Sequence, residues 1–234
     1  MKIAIFTISL GKYNIFFKDL YESVNDLFLP NHEKTFFIFT DTKFEDKKNL
    51  IQIEQQKLGW PFDTMNRFHF ISQIKENLLE YDYIFFFNIN MKVVKQINDE
   101  ILPTELNDFL MGCHHPLHFN WPVNSLPYER NPNSECYIPY ESGKFYYQGC
   151  FNGGRTKEFL EMAEILKNKI DKDINKNIIP IWHDESMLNY YYNTKNPLIL
   201  NYTYIYPESY NLEGEPIMIQ RDKWKYMNQT ELRS

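Results

Sequence analysis

Tyr83-Ile84-Phe85-Phe86-Phe87-Asn88-Ile89-Asn90 is the stretch from which the fold can be read. Its first five residues are apolar on both alternating faces, which is the pattern of a central strand covered by helices on both sides. In an open α/β sheet the carboxyl end of such a strand opens into a ligand crevice, and Asn88-Ile89-Asn90 stands at that end. Upstream, Lys2 to Ile8 and Thr35 to Thr40 are short, rich in β-branched and aromatic residues, and bounded by Gly, Asn or Asp, as buried strands are. Between them, Ile15, Phe16, Leu20, Val24, Leu27 and Phe28 recur at helical spacing over 14–29, giving a strand, helix, strand unit. A second helix is predicted to start near Asp63 or Thr64, either of which can accept an early N–H, and to carry Phe68, Ile71, Ile74 and Leu78 inward. After Pro103 the texture changes to Pro- and aromatic-rich loops as far as Tyr147. A helix over 156–170 follows, with Phe159, Ala163, Leu166 and Ile170 inside, and another begins near Asp184. No repeat or low-complexity linker divides the chain. The expected fold class is α/β: one domain with a mixed sheet flanked by helices, in two interdependent halves of about 1–102 and 103–234.

The 234 residues include 25 Lys plus Arg against 31 Asp plus Glu, a net charge of −6, and 43% are apolar. That composition excludes disorder, and a chain of this size buries roughly 70% of its extended surface, enough for a core and a cleft. The acidic balance and the lack of any Lys/Arg block argue against nucleic acid as a partner. The longest apolar run, Tyr83 to Phe87, is far short of the roughly 20 residues of a membrane helix. Met1 leads almost directly into the first strand, so the expected location is the cytoplasm. Cys113, Cys136 and Cys150 are odd in number and lack C-x-x-C spacing, so they are read as reduced thiols.

Four segments have chemical character, each with an ordinary alternative. Asn88 and Asn90 leave the strand at alternate positions and can point together at a ligand, or form a turn. Trp182-His183-Asp184-Glu185 sets an indole beside two carboxylates. The ring can cover an apolar sugar face and a carboxylate can stabilise positive charge at an anomeric carbon; equally, the segment is a helix start with Asp184 as cap. In Tyr146-Tyr147-Gln148-Gly149-Cys150-Phe151-Asn152-Gly153-Gly154 the glycines allow close ligand approach, but no nucleotide-binding glycine motif is present. Cys113-His114-His115-Pro116-Leu117-His118 suits packing or hydrogen-bonding histidines better than a metal.

Taken in order, these segments resemble glycosyltransferase family 6, which includes the ABO blood-group transferases and the α1,3-galactosyltransferases. The likeness runs from Gly11-Lys12-Tyr13 through Phe85 to Asn90, Tyr128-Glu129-Arg130, Cys136-Tyr137-Ile138-Pro139, Phe145-Tyr146-Tyr147 with Gly153-Gly154, to Trp182-His183-Asp184-Glu185-Ser186 and Leu188-Asn189. It implies a GT-A fold and retaining transfer of galactose or N-acetylgalactosamine from a UDP-sugar to the 3-hydroxyl of an acceptor galactose. Animal members have Asp-x-Asp where this chain has Asn88-Ile89-Asn90. Two neutral amides are poor ligands for a hard cation, and the sequence looks like the bacterial branch that works without metal. No cofactor is therefore expected.

The resemblance also implies roles. Glu185 matches the catalytic carboxylate, as nucleophile or as charge stabiliser. Ile8 and Tyr13 fall where the family contacts uracil and ribose, and Asp184 where it contacts the donor sugar. Arg67 matches an arginine near the donor. With Arg221, Lys223, Lys225 and Arg233 it is a candidate to offset the charge of departing UDP. Gln148, Gly149 and Cys150 occupy the stretch that discriminates donors, and a side chain larger than Ala at Cys150 leans toward galactose. His115, Trp182 and Glu208 are the expected acceptor contacts, with Pro127 standing where many relatives have Thr. The partners so implied are UDP-galactose or UDP-N-acetylgalactosamine and a galactose-terminated acceptor, fucosylated and blood-group-like or lipid-linked at the inner membrane. The rival reading from another class is a non-catalytic sugar-nucleotide or glycan-binding protein.

Overall fold

The computed structural model describes residues 1–228. Its chain runs β1 (Lys2–Ser9), α1 (Phe17–Leu27), β2 (Glu33–Thr40) and β3 (Leu50–Glu54), then three short helical pieces, α2 (Phe62–Met65), α3 (Arg67–Gln73) and α4 (Lys75–Leu78). There follow β4 (Tyr83–Phe87), β5 (Met91–Val93), β6 (Leu110–His114), β7 (Tyr147–Arg155), α5 (Thr156–Asn175), α6 (His183–Tyr192), β8 (Leu198–Leu200), β9 (Tyr206–Pro207) and β10 (Met218–Gln220). The main sheet has seven strands in the order β3-β2-β1-β4-β7-β6-β8. β4 lies inside it, parallel to β1 and antiparallel to β7, and Ile84 to Phe87 are buried. Apolar clusters cover both faces. One packs α1 against Ile3, Ile5, Phe85 and Phe87; the other packs α3 and α5 against Ala4, Phe6, Ile84 and Phe86. The mixed, doubly covered sheet expected from the strand pattern is the one observed.

Three local expectations are corrected. Residues 11–16 form a 3₁₀ turn before α1, and the change of period rotates Ile15 outward to 56% exposure. The single helix predicted near Asp63 is broken into α2, α3 and α4, although Phe68, Ile71, Ile74 and Leu78 are buried as expected. Neither Asp63 nor Thr64 caps it: the Asp63 carboxylate accepts from the Leu58 N–H and the Thr64 hydroxyl donates to Asp184. The supposed loop region 103–147 contains buried β6, and the glycine-bearing segment after Tyr146 is β7. A Cβ on Gly153 would stand 2.4 Å from the Phe85 ring and 2.7 Å from the Ile84 carbonyl, so that glycine lets two strands pack and does not serve a ligand.

The antiparallel direction of β7 shapes the site. Phe151 pairs with Phe87, so Gln148, Gly149 and Cys150 continue past the end of β4 beside Asn88, whose N–H donates to the Cys150 carbonyl at 2.8 Å. A second sheet of three strands, β5-β10-β9, then brings the C-terminal segment over the same edge through pairing of Gln220 with Met91. No helix among the described residues is long and apolar enough to cross a membrane.

Candidate active site

Where the carboxyl ends of β1 and β4 meet the start of β7 there is a cleft of about 760 Å³. Ile8 and Tyr13 line one end, Asn88, Asn90, Gln148, Gly149 and Cys150 the floor, and Arg67, Trp182, Asp184 and Glu185 one wall. Glu208, Arg221 and Lys223 line it as well. These residues are far apart in sequence and are brought together by the strand order, as the crevice rule for open sheets requires. Lys12, Lys57, Trp60, Tyr210 and Gln220 also line the cleft. Lys12 belongs to the Gly11-Lys12-Tyr13 stretch of the resemblance, whereas Lys57 had no signal in sequence beyond its charge.

Arg67 and Asp184 are withdrawn from water. Arg67 is 2% exposed and lies over the rings of Phe68 and Phe86. Its Nε is 3.0 Å from Asp184 Oδ2, close enough to pair the charges but without hydrogen-bond alignment. Its Nη1 donates to the Gly149 carbonyl at 2.6 Å, while Nη2 has no hydrogen-bond partner among the described residues. Asp184 is therefore not a helix cap; it accepts from Thr64 at 2.9 Å and answers the buried guanidinium. His183, at φ 54, makes a left-handed turn between Trp182 and Asp184, and its ring packs edge-on against Trp60 at 4.7 Å. A non-glycine residue held there costs of order 1–3 kcal/mol. The turn sends Trp182 out to 48% exposure while Asp184 is buried.

Glu185 keeps some surface on the cleft, but its carboxylate is enclosed. Tyr146 donates to Oε1 at 2.8 Å and the Gly149 N–H donates to Oε2 at 2.7 Å. Burial pushes Glu185 up to about 7, against the pull of those two donors and of Arg67. Asn189, fully buried, fixes the spacing. Its amide exchanges bonds of 2.8 Å each with the N–H and carbonyl of Tyr147, and it donates to the Glu185 carbonyl one turn back. Helix α6 is thus bolted to β7 beside Gly149, where a Cβ would sit 3.4 Å from the Glu185 carboxylate and 3.2 Å from Arg67 Nη2. An enclosed carboxylate held at both oxygens, next to a buried arginine, can either bond to an electrophilic carbon or stabilise a cation forming there.

The two asparagines behave differently. Asn88 lines the cleft, and its amide has no partner among the described residues. Asn90 is 7% exposed; its Nδ2 donates to the Arg221 carbonyl at 2.7 Å and its own carbonyl accepts from the Arg221 N–H at 2.7 Å. A divalent cation does not fit this pair, because both side chains are neutral and one amide is turned toward a backbone carbonyl. No group of three His, Cys, Asp or Glu suited to a metal occurs among the described residues.

The C-terminal cations are not equivalent. Arg221 lines the cleft but is already bonded to Asp19, Tyr226 and Glu208. Lys223 lines the cleft; Lys225 does not, and faces Glu208 at 3.9 Å. Arg233 lies outside the described residues. Glu208 also accepts from the Asp222 N–H at 2.8 Å, which ties it to the strap that carries these cations. His115 is not on the cleft wall. It packs edge-on to Tyr146 and stacks on His118 at 4.2 Å. Burial, with the nearby His118, holds it down at about 3. Tyr128-Glu129-Arg130 turns out to brace this side: Glu129 accepts from the Ile181 N–H at 2.7 Å, next to Trp182, and Arg130 donates to the carbonyls of Ile138 and Pro139. All three cysteines are free and buried.

The fold and this cleft define a group-transfer site built on an α/β sheet. The profile of glycosyltransferase family 6 matches residues 1–234, and the chain belongs to that family. It is similar to an O-antigen biosynthesis glycosyltransferase, WbnI, of Escherichia coli, 38% identical over 226 residues that cover 95% of both chains. It is also similar to histo-blood group ABO system transferase 2 of Rattus norvegicus, 29% identical over 199 residues covering 81% of this chain and 58% of the relative. Globoside alpha-1,3-N-acetylgalactosaminyltransferase 1 of Homo sapiens is 27% identical over 207 residues, 84% of this chain and 58% of its own. The chain thus spans little more than half the length of these animal relatives.

Proposed function

We propose that this glycosyltransferase moves galactose from UDP-galactose to the 3-hydroxyl of an acceptor galactose, with retention and without a metal ion, in the assembly of a bacterial surface glycan such as an O-antigen. The observation that carries the reading is Glu185, an enclosed carboxylate held at both oxygens in the lining of a cleft that also presents neutral amides and cations. UDP would lie with its base and ribose against Ile8 and Tyr13, and its diphosphate over Asn88. The unpartnered Nη2 of Arg67 and the cations of Arg221 and Lys223 would face the diphosphate, with Lys225, off the cleft lining, and Arg233, outside the described residues, as the further candidates from the sequence. Gln148, Gly149, Cys150 and Asp184 would surround the sugar, and Trp182, Glu208 and the His115 loop would receive the acceptor.

The bond between the sugar C1 and the β-phosphate oxygen breaks, and its electron pair leaves with UDP. Glu185 either bonds to C1 and is then displaced by the acceptor O3, or stabilises the cationic sugar while O3 attacks from the face UDP has left. In both routes the O3 proton ends on a departing phosphate oxygen, and the configuration at C1 is retained. Fixed cations facing the diphosphate can offset the leaving group's charge electrostatically, and the amide chemistry at Asn88 and Asn90 supports the metal-free form. UDP-N-acetylgalactosamine is the second donor reading, supported by the likeness to globoside alpha-1,3-N-acetylgalactosaminyltransferase 1.

Incubation with UDP-galactose and a panel of galactose-terminated acceptors in excess EDTA tests the reading. An α1,3-linked product is expected. Loss of activity restored by Mn²⁺ would refute the metal-free step, and UDP release no faster than in buffer would leave a binding protein instead.

A further inference from the structure

Tyr146 stands immediately before β7 and is 3% exposed. Its ring is wedged between Tyr128, His115 and His118, at centroid distances of 5.6, 5.7 and 5.5 Å. The packing aims its hydroxyl at Glu185 Oε1, and the backbone N–H of Gly149 takes the other oxygen. We propose that Tyr146 is the positioning residue for Glu185: its hydroxyl holds the carboxylate ionised and oriented, and so sets the low-pH limit at which Glu185 can act. The inference rests on the reaction reading only for what Glu185 then does.

Among the described residues, no other side chain facing this carboxylate donates a hydrogen bond to it, the unpartnered Nη2 of Arg67 included. Arg67, from α3, places Nη1 on the Gly149 carbonyl and shares its charge with Asp184. Asp184, beside Glu185 on α6, repels it, and burial drives His183 toward its neutral form. Cys150, from β7, is raised by burial and by Glu185 and stays a neutral thiol. Tyr146 is therefore the only side-chain hydrogen-bond donor to this carboxylate among the described residues. The same burial and the same negative charge push the Tyr146 phenol well above its ordinary value, so it stays protonated, and a donor, at every pH where the protein works. A hydrogen bond to the charged form favours that form. Removing it lets the desolvation of Glu185 act unopposed on one oxygen.

Tyr146→Phe keeps the ring and its packing. Protein labelled with ¹³C at glutamate carboxyls, with the Glu185 signal assigned by its loss in Glu185→Gln, reports the Glu185 midpoint without any substrate. In Tyr146→Phe that midpoint should rise by about one pH unit, the scale of one charge-assisted hydrogen bond. The acid limb of kcat/KM for transfer should rise by the same amount, with UDP affinity unchanged. Site-specific 3-fluorotyrosine at 146, isosteric and a stronger donor, should move both downward and covers the case in which the Phe protein does not fold. A Glu185 midpoint unmoved by either replacement would overturn the inference, because a purely packing role predicts no titration shift. Midpoints that shift in a protein that transfers no sugar to any acceptor would uphold the positioning role and overturn the reaction reading.

Discussion

On one side of the cleft Arg67 is 2% exposed, lies across two phenylalanine rings and faces a carboxylate that is itself buried. Elsewhere in its lining, Arg221, whose side chain is 17% exposed, shares its guanidinium among Asp19, Glu208 and Tyr226, with the Asp19 side chain 37% exposed. Charges taken out of water must be placed in advance, since an unpaired one costs several kcal/mol. Partly exposed pairs are screened more than fully buried ones, contribute less, and can exchange a carboxylate for a phosphate at smaller cost. The Arg67 pair is thus part of the fold as much as of the chemistry, while the Arg221 cluster can answer a ligand with less danger to the fold.

The sharpest way to break this contrast is Arg67→Ala. It leaves Asp184 buried and unpaired, so stability should fall by about 3–5 kcal/mol, read as a large loss in Tm. A melt within a few degrees of the parent protein would mean Arg67 and Asp184 are not a structural pair.

Glu185→Gln should lower turnover by about 10²–10³-fold while UDP binding, measured by calorimetry, survives. It carries a second signature. Because the folded-state value of Glu185 is raised to about 7 from an ordinary 4.5, the native state holds this proton more tightly than the unfolded chain. The stability it contributes is full below about 4.5 and is lost as pH rises through about 7. The glutamine variant lacks that loss and should melt a few degrees above the parent at pH 8, with the gain disappearing near pH 5. Equal melting curves at both pH values would show that Glu185 is not strained by burial.

On the Arg221 side, Asn90→Asp replaces a donor to the Arg221 carbonyl with a repelling carboxylate. UDP affinity should drop by about tenfold, the scale of one lost hydrogen bond with its unsatisfied partner, and added Mn²⁺ should not restore it. Restoration by Mn²⁺ would make Asn90 a ligand position instead of a clasp. The smallest effect is expected from Cys150→Gly, which opens space beside Gly149 and should raise the use of UDP-N-acetylgalactosamine relative to UDP-galactose a few-fold. An unchanged ratio in a competition assay would remove Cys150 from donor choice.

Much of the frame was legible because local pattern and burial coincide in it. β1, α1, β2 and β4 follow from apolar periodicity alone, and α5 and α6 appear near their predicted starts. The break between α2 and α4 was not legible: the same apolar positions face inward in a continuous helix and in three pieces. β6 and β7 were missed for a related reason. Glycine and proline weaken a strand signal in sequence, yet Gly153 is in β7 because Phe85 and the Ile84 carbonyl leave no room for a Cβ. In the site, Trp182, Asp184 and Glu185 stood out as a cluster, whereas Tyr146 and Asn189 fell in segments that stood out without any sign of their partners, and Lys57 did not stand out at all. A tyrosine among seventeen carries no mark of its partner.

The chain's own pattern was enough for the class of fold and the charge character of the cleft residues, while Glu185 was singled out as the candidate carboxylate only through the resemblance to the family. The first two depend on residue type and short-range period, which the chain carries locally. Only the tertiary structure decided that Asp184 answers Arg67 instead of capping α6, that Asn90 clasps the C-terminal strap, and that Tyr146 and Gly149 grip Glu185. Each of those pairings joins residues far apart along the chain, brought together by the antiparallel run of β7 beside β4, by the packing of α6, and, for Asn90, by the pairing of β10 with β5.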